Sequence, residues 1–488
     1  MQSAPCLARL LVAGALLASS SACGTPTKLA ESEPIPDSPP EALHGLPGIG
    51  DPYFPTAGNG GYDVQHYDVV LDVDVEGNSV AAQVTIDAIA TQDLSAFNLD
   101  LFGLEVQEVR VGGVKSSFEH LAGELTITTG ILIQTASAFR VVVDYSGTPV
   151  PVADASVASM GLPGTGWFHT ESGVYVISEC IGAAGWLPCN NHPADKATFA
   201  FHVTVPEKYT VAANGILTAE SRGDGKRTFD WLASDPMATY LATICIAEFE
   251  VRVEEGPWGL PLRLYYPTDA TEDELEPFAR TAEMLEYFAT RFGPYPLEAF
   301  GGVLSYESIG GALETQTIPV YSRRSSEGTV VHELSHMWFG DSVTPSLWKD
   351  MWLNEGFATY AGWMWAEHDG GAEALEARVK RSYRRARSAG IRSPADPGVD
   401  QVFSGRTYVR GALALHAIRE ELGDELFFQV LTAWASEKRG GNGNTQEFQA
   451  VAERTSGRDL ESLFAEWVHG DVLPDVPEYA MNEDKRTK

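Results

Sequence analysis

HELSHMWFGDSVTPSLWKDMWLNEGFATY, residues 332–360, is the stretch that decides how the chain is read. It opens on His332-Glu333-Leu334-Ser335-His336. On a helix, positions i and i+4 lie on one face, so the imidazoles of His332 and His336 can reach one ion. Glu333 is displaced around the helix and can approach a water at that ion without being a ligand. A catalytic zinc takes three protein ligands and keeps a fourth position open. The third ligand must therefore come from elsewhere. Asn354-Glu355-Gly356-Phe357-Ala358 supplies one: Glu355 starts a second apolar helix after a loop that contains Pro345 and lets the chain turn back. The set His332, His336 and Glu355 is then a His2Glu site for one zinc ion. The bland alternative is a pair of surface histidines on an ordinary helix, because HExxH alone recurs by chance.

Upstream, the pattern changes. Segments 67–75, 80–88, 140–145 and 199–205 alternate apolar and polar residues between Gly, Asn and Asp turns, as half-buried strands do. This continues to about Val251, and residues 48–251 read as an all-β domain. Residues 274–292 then carry helical spacing, ended by Gly293-Pro294. Strands are expected at 303–305 and 317–321. Helices are expected near 330–339, 353–368, 373–389, 409–422 and 425–436. The fold class is thus multidomain α and β, an all-β domain before a mainly helical α+β catalytic domain over 252–473, with a frayed polar tail over 474–488. No internal repeat and no second apolar span is present. A chain of 488 residues suits two to three domains.

The amino-terminal residues read as a targeting segment. Met1–Ala22 holds Arg9, an apolar stretch from Leu10 to Ala18 and small residues up to Cys23. That is the layout of a secretory signal peptide, and the apolar stretch is too short to span a bilayer. Ser20-Ser21-Ala22-Cys23 resembles a bacterial lipobox, with Ser20 where Leu or a similar residue is usual. Residues 1–23 are read as a signal peptide, and export is expected to leave either a chain anchored at the cell envelope through a lipidated Cys23 or, after plain cleavage nearby, a secreted protein. Residues 24–47, rich in Pro, Ser and Glu, read as an extended linker. Asp and Glu number 67 against 34 Lys and Arg, a formal charge of -33. Such a surface repels phosphate backbones, so nucleic acid is not an expected partner. Solubility explains it more simply than a cationic substrate does. Of five cysteines, Cys180, Cys189 and Cys245 lie beyond the targeting segment. A Cys180–Cys189 disulfide and buried free thiols are both open readings, and no CxxC pair suggests a thiolate metal site.

The block His332–Tyr360 resembles the zinc-binding block of the M1 aminopeptidases, a gluzincin family that includes aminopeptidase N and leukotriene A4 hydrolase. The shared pattern is HExxH, 18 intervening residues and Glu. Gly50–Pro55 with Tyr62–Tyr67, Trp186–Cys189 and Phe292–Pro296 extend the similarity from about residue 50 to about 470. The resemblance implies a saddle-like N-terminal β domain, a thermolysin-like catalytic domain, one zinc ion and peptide substrates with a free amino terminus. Gly311-Ala312-Leu313-Glu314-Thr315 stands where the family has GxMEN, which makes Gly311 and Ala312 substrate-binding and Glu314 the anchor for the substrate's α-amine. Leu313 and Thr315 depart from that pattern, and Thr315 removes an amide that would contact the substrate backbone. Glu179, nine residues before Pro188, matches a second amine-binding position. Tyr408-Val409-Arg410-Gly411 is similar to the family's Tyr-x-Lys-Gly, whose Tyr stabilises the oxyanion, and Glu333 takes the role of general base. Competing readings are a surface turn for Glu314, an exposed loop for Glu179 and a core-packed helix start for Tyr408.

The same resemblance also admits epoxide hydrolase or endopeptidase chemistry. From another class, an inactive exported peptide-binding module is the alternative, against which the intact His332, Glu333, His336, Glu355 and Tyr408 argue. The chain stops about 130 residues after Glu355, which implies a two-domain form without the family's helical C-terminal domain and with a more open site.

Overall fold

The structure, a computed structural model, describes residues 43–480. The readings for the signal peptide, for Cys23, for most of the linker and for 481–488 lie outside the described residues. The first half is built on an eight-stranded sheet. At its centre Tyr62–Asp74 pairs in parallel with Lys196–Pro206, from His66 opposite Thr198 to Asp72 opposite Thr204. Its other edge pairs antiparallel with Ser79–Ala90. Alternation explains the orientation: Tyr67, Val69, Leu71 and Val73 are buried while their neighbours face outward. A three-stranded sheet (Leu94–Asp100, Glu124–Ile133, Ser117–Leu121) and a four-stranded sheet (Thr210–Ala213, Ile244–Ala247, Gly173–Ile177, Gly166–His169) complete this half.

A five-stranded sheet leads into the helical half, with Phe249–Glu255, Pro261–Pro267 and Phe300–Leu304 followed by Val320–Tyr321 and Ala312–Leu313. Its first strand crosses the 251/252 boundary read from the sequence. The two halves share apolar packing: Val303, Ile318, Val320, Trp348 and Met351 sit in the same core as the β strands. Lys196 reinforces this contact. Its buried ammonium donates to the carbonyls of Asp341 (2.7 Å) and Ser342 (3.1 Å), in the turn that follows His336.

Four details differ from the sequence reading. The helix expected over 274–292 is broken into a turn at Glu272–Leu275, a 3-10 turn at Glu276–Phe278 and a helix over Thr281–Phe292, because Pro277 has no N–H to continue the ladder. The two helices expected at 353–368 and 373–389 form one run, Trp352–Ala389, kinked at Gly371 with φ 69°. The linker ends earlier than residue 47, since Gly45 N–H donates to Ala96 O at 2.9 Å. The stretch 474–480 is not frayed: the Tyr383 hydroxyl donates to Pro474 O at 2.9 Å and accepts from Val476 N–H. A further helix, Thr445–Ser456, is opened by a capping box between Asn444 and Glu447. Among the described residues no helix is long and apolar enough to cross a membrane.

Candidate active site

The helix Glu327–His336 starts on Ser326, whose hydroxyl accepts from Thr329 N–H. Val330, Val331 and Leu334 bury one side of it. His332 and His336 project from another, with ring centroids 4.8 Å apart. Glu355, in the first turn of the kinked helix, closes the triangle. Its Oε2 lies 3.0 Å from His332 Nε2 and 3.6 Å from His336 Nε2. His336 Nδ1 is 3.1 Å from the Phe339 carbonyl. With its proton on Nδ1 for that bond, the ring turns a bare Nε2 toward the triangle, and this buried nitrogen has no protein partner. An unpartnered imidazole nitrogen converging with a second imidazole and a carboxylate fits a zinc ion. Burial works against a positive charge at His336, yet Glu314, Glu355 and Glu333 favour one there, an electrostatic setting that suits a bound cation. Glu355 moves the other way: burial is outweighed by its bond to His332 and by the neighbouring His336, which hold it well below the usual carboxylate range.

Two glycines bring the second catalytic wall into reach. A Cβ on Gly356 would stand 2.9 Å from Gly411 Cα, and one on Gly411 equally close to Gly356 Cα. The helices that start at Trp352 and Gly411 can therefore cross with backbones in contact. That crossing sets the π-turn Arg406–Arg410 above Glu355. Tyr408 donates its hydroxyl to Glu355 Oε1 at 2.7 Å, and its ring stacks on His332 at 5.9 Å. Burial and the Glu355 carboxylate push the Tyr408 phenol well above its ordinary value, so it stays a donor. Arg410 fixes the same turn from behind. Its guanidinium donates to the carbonyls of Glu466, Trp467, Gly470 and Val472 at 3.0–3.2 Å.

Around this triangle lies a well of acids. Glu333 is 4%, Glu314 2% and Glu179 5% exposed, which excludes the surface-turn and exposed-loop readings of Glu314 and Glu179. Ligand-capable atoms of Glu314, Glu333 and His336 lie within 4.8 Å of one another, as do those of Glu179, Glu314 and Glu355. Glu314 Oε1 and Glu179 Oε1 have no protein partner. Burial, followed by the neighbouring carboxylates, raises Glu179 and Glu333; Glu314 is also raised, chiefly by burial. Unpaired carboxylates this deep are costly unless cations join them. Glu314 is delivered by the short strand Ala312–Leu313, and Gly311 and Ala312 are among the residues that line the cleft, whose volume is about 300 Å³. The Thr315 hydroxyl donates to Ile318 O at 2.7 Å within a buried turn. Glu179 follows the strand Gly173–Ile177. Cys180, Cys189 and Cys245 are buried free thiols, so 180 and 189 are not bridged.

Residues 63–241 match the Peptidase M1 N-terminal domain and residues 278–467 the Peptidase family M1 domain. The crystal structure of an M1 zinc metallopeptidase from Deinococcus radiodurans is 33% identical to this chain, covering 88% of it and 98% of that chain, with a TM-score of 0.82. A mutant of that enzyme bound to a Tyr-Ser-Ala substrate is 32% identical, with a TM-score of 0.82, over 88% of this chain and 99% of that one. Aminopeptidase 2, mitochondrial, from Saccharomyces cerevisiae is 27% identical over 87% of this chain and 47% of its own length. The chain spans about half the length of the curated relatives it matches. The paired domain matches, agreement with an experimental structure over nearly all of that structure's length, and a donor set that fits zinc together establish that the chain belongs to the M1 family of zinc metallopeptidases.

Proposed function

We propose that this chain is an aminopeptidase that removes the first residue of peptides, with zinc held by His332, His336 and Glu355. The observation that carries the reading is the pair of buried carboxylates, Glu314 and Glu179, whose unpartnered oxygens lie beside Glu355. A peptide's free α-ammonium is the cation that such a pair suits, and two carboxylates hold it more firmly and more directionally than one. Fixing the amino end there sets the first peptide bond against the triangle, which restricts cleavage to chain ends. When bound, the zinc ion supplies Lewis acidity toward the scissile carbonyl and toward water. Glu333 accepts the proton of the attacking water at its carboxylate and returns it to the departing amine nitrogen. Tyr408 donates its hydroxyl hydrogen bond to the carbonyl oxygen as negative charge develops there. Gly311 and Ala312, which line the cleft, flank the bound chain.

Free and N-acetylated forms of the same peptide test this directly with the zinc-loaded protein. Cleavage of the free form alone is the expected result. Equal rates on both would sink the exopeptidase reading and leave an endopeptidase. The proposal extends to location. The charged, apolar and small-residue order of Met1–Cys23 supports export, with lipid attached at Cys23. Fractionation of cells making the chain is expected to find it with membranes, and Cys23→Ala in the soluble extracytoplasmic fraction. An unchanged distribution would remove the lipid anchor.

A further inference from the structure

The apolar walls of the cleft point to its preferred substrate. We infer that the site selects peptides whose first residue carries a large apolar side chain, an inference that rests on the aminopeptidase reading above. The ammonium and the side chain of a first residue branch from the same Cα. An ammonium held between Glu179 and Glu314 therefore places its side chain against the segments that deliver those two carboxylates.

On the Glu179 side, the loop 153–164 packs beside the segment that carries that carboxylate. It is closed at its base by Val152 and Thr165, which exchange backbone hydrogen bonds at 2.8 and 2.9 Å. Asp154, buried, accepts from Ser156 N–H (2.8 Å), from the Ser156 hydroxyl (2.6 Å) and from Cys180 N–H (3.1 Å). The loop is thus tied to the residue next to Glu179. It turns Val157, Met160 and Leu162 to the cleft. On the Glu314 side, Ile309 and Leu313 line the same space, as does Phe403. Leu162 closes the gap between the two sides: its Cδ2 lies 3.5 Å from where a Cβ on Gly310 would be.

The walls thus carry apolar side chains, while the acids of the cleft gather at the catalytic triangle and the amine anchors. A leucine or phenylalanine side chain covers this wall and removes it from water. An alanine leaves it wet. An aspartate adds like charge beside four glutamates. An arginine must lay its charged head along apolar surface, or compete with the α-ammonium for the same carboxylates.

Binding measured without turnover tests this. Zinc-loaded Glu333→Gln is titrated calorimetrically with Leu-Ala, Phe-Ala, Ala-Ala, Asp-Ala and Arg-Ala. Leu-Ala and Phe-Ala are expected to bind about tenfold or more tightly than the other three. Leu162→Glu in the same background is expected to move the ratio of Arg-Ala to Leu-Ala affinity about tenfold toward Arg-Ala. Ala-Ala or Arg-Ala binding as tightly as Leu-Ala, a ratio indifferent to Leu162→Glu, or no binding of any dipeptide overturns the inference. If the dipeptides bind in the expected order but the wild-type enzyme cleaves none of them, the aminopeptidase reading fails and the preference of the cleft stands.

Discussion

Replacing Glu333 by Gln is expected to lower kcat by about 10⁴-fold, the upper end for a general acid–base group, while the protein keeps one zinc ion. The reasons are local. Glu333 is 4% exposed, so bulk water cannot stand in for its carboxylate. It is asked to move a proton twice, from the attacking water and then to the leaving amine. Gln matches its shape, lacks a basic oxygen at neutral pH, and leaves His332, His336 and Glu355 where they are. Zinc content by elemental analysis should therefore match the wild type, and the melting temperature should not fall. Retained metal with lost turnover separates a base from a ligand. A variant with kcat within tenfold of wild type would remove Glu333 from the proton-transfer role.

How much of this was legible from the chain follows from the range of the contacts. The strands Tyr62–Asp74 and Lys196–Pro206 announce themselves because period-two burial is written into consecutive residues. The metal triangle is nearly as local: two of its members lie one helical turn apart and the third starts the next long helix. What was missed depends on partners far away in sequence. Gly356 and Gly411 look like ordinary helix glycines until their backbones meet. Lys196 is one more charged residue at a strand start until it reaches Asp341 O across 145 positions. Arg410 reads as a residue that keeps a positive charge where lysine is usual. Its guanidinium in fact reaches four carbonyls of 466–472 through Nε and Nη2, a planar pair of donor nitrogens that a single ammonium does not offer. Thr315 is likewise read from residue type alone until its hydroxyl is seen to be occupied within its own turn. The Asn444–Glu447 capping box was the one local signal that could have announced the helix after Gly443.

Tyr408→Phe is expected to lower kcat by about 10²- to 10³-fold with KM changed by only a few-fold. That is the loss seen when one donor to a developing oxyanion is removed, about 2.7–4 kcal/mol. Phe preserves the ring that stacks on His332 at 5.9 Å, so the wall of the cleft stays in place. The hydroxyl has a second tie, however, because it donates to Glu355 Oε1 at 2.7 Å. If its main task were to orient that carboxylate as a metal ligand, Phe would instead weaken zinc binding by about 10- to 100-fold, the usual cost of losing an outer partner of a ligand. Excess zinc would then restore kcat. The two roles separate in a zinc titration of Tyr408→Phe followed by activity. A kcat that stays low at saturating zinc places the hydroxyl on the substrate oxygen. A kcat that returns to wild type places it on Glu355. The first outcome is expected, because Glu355 would still share the zinc ion with His332 and His336 when the phenol is gone, whereas a carbonyl oxygen taking on charge has no other phenol to turn to.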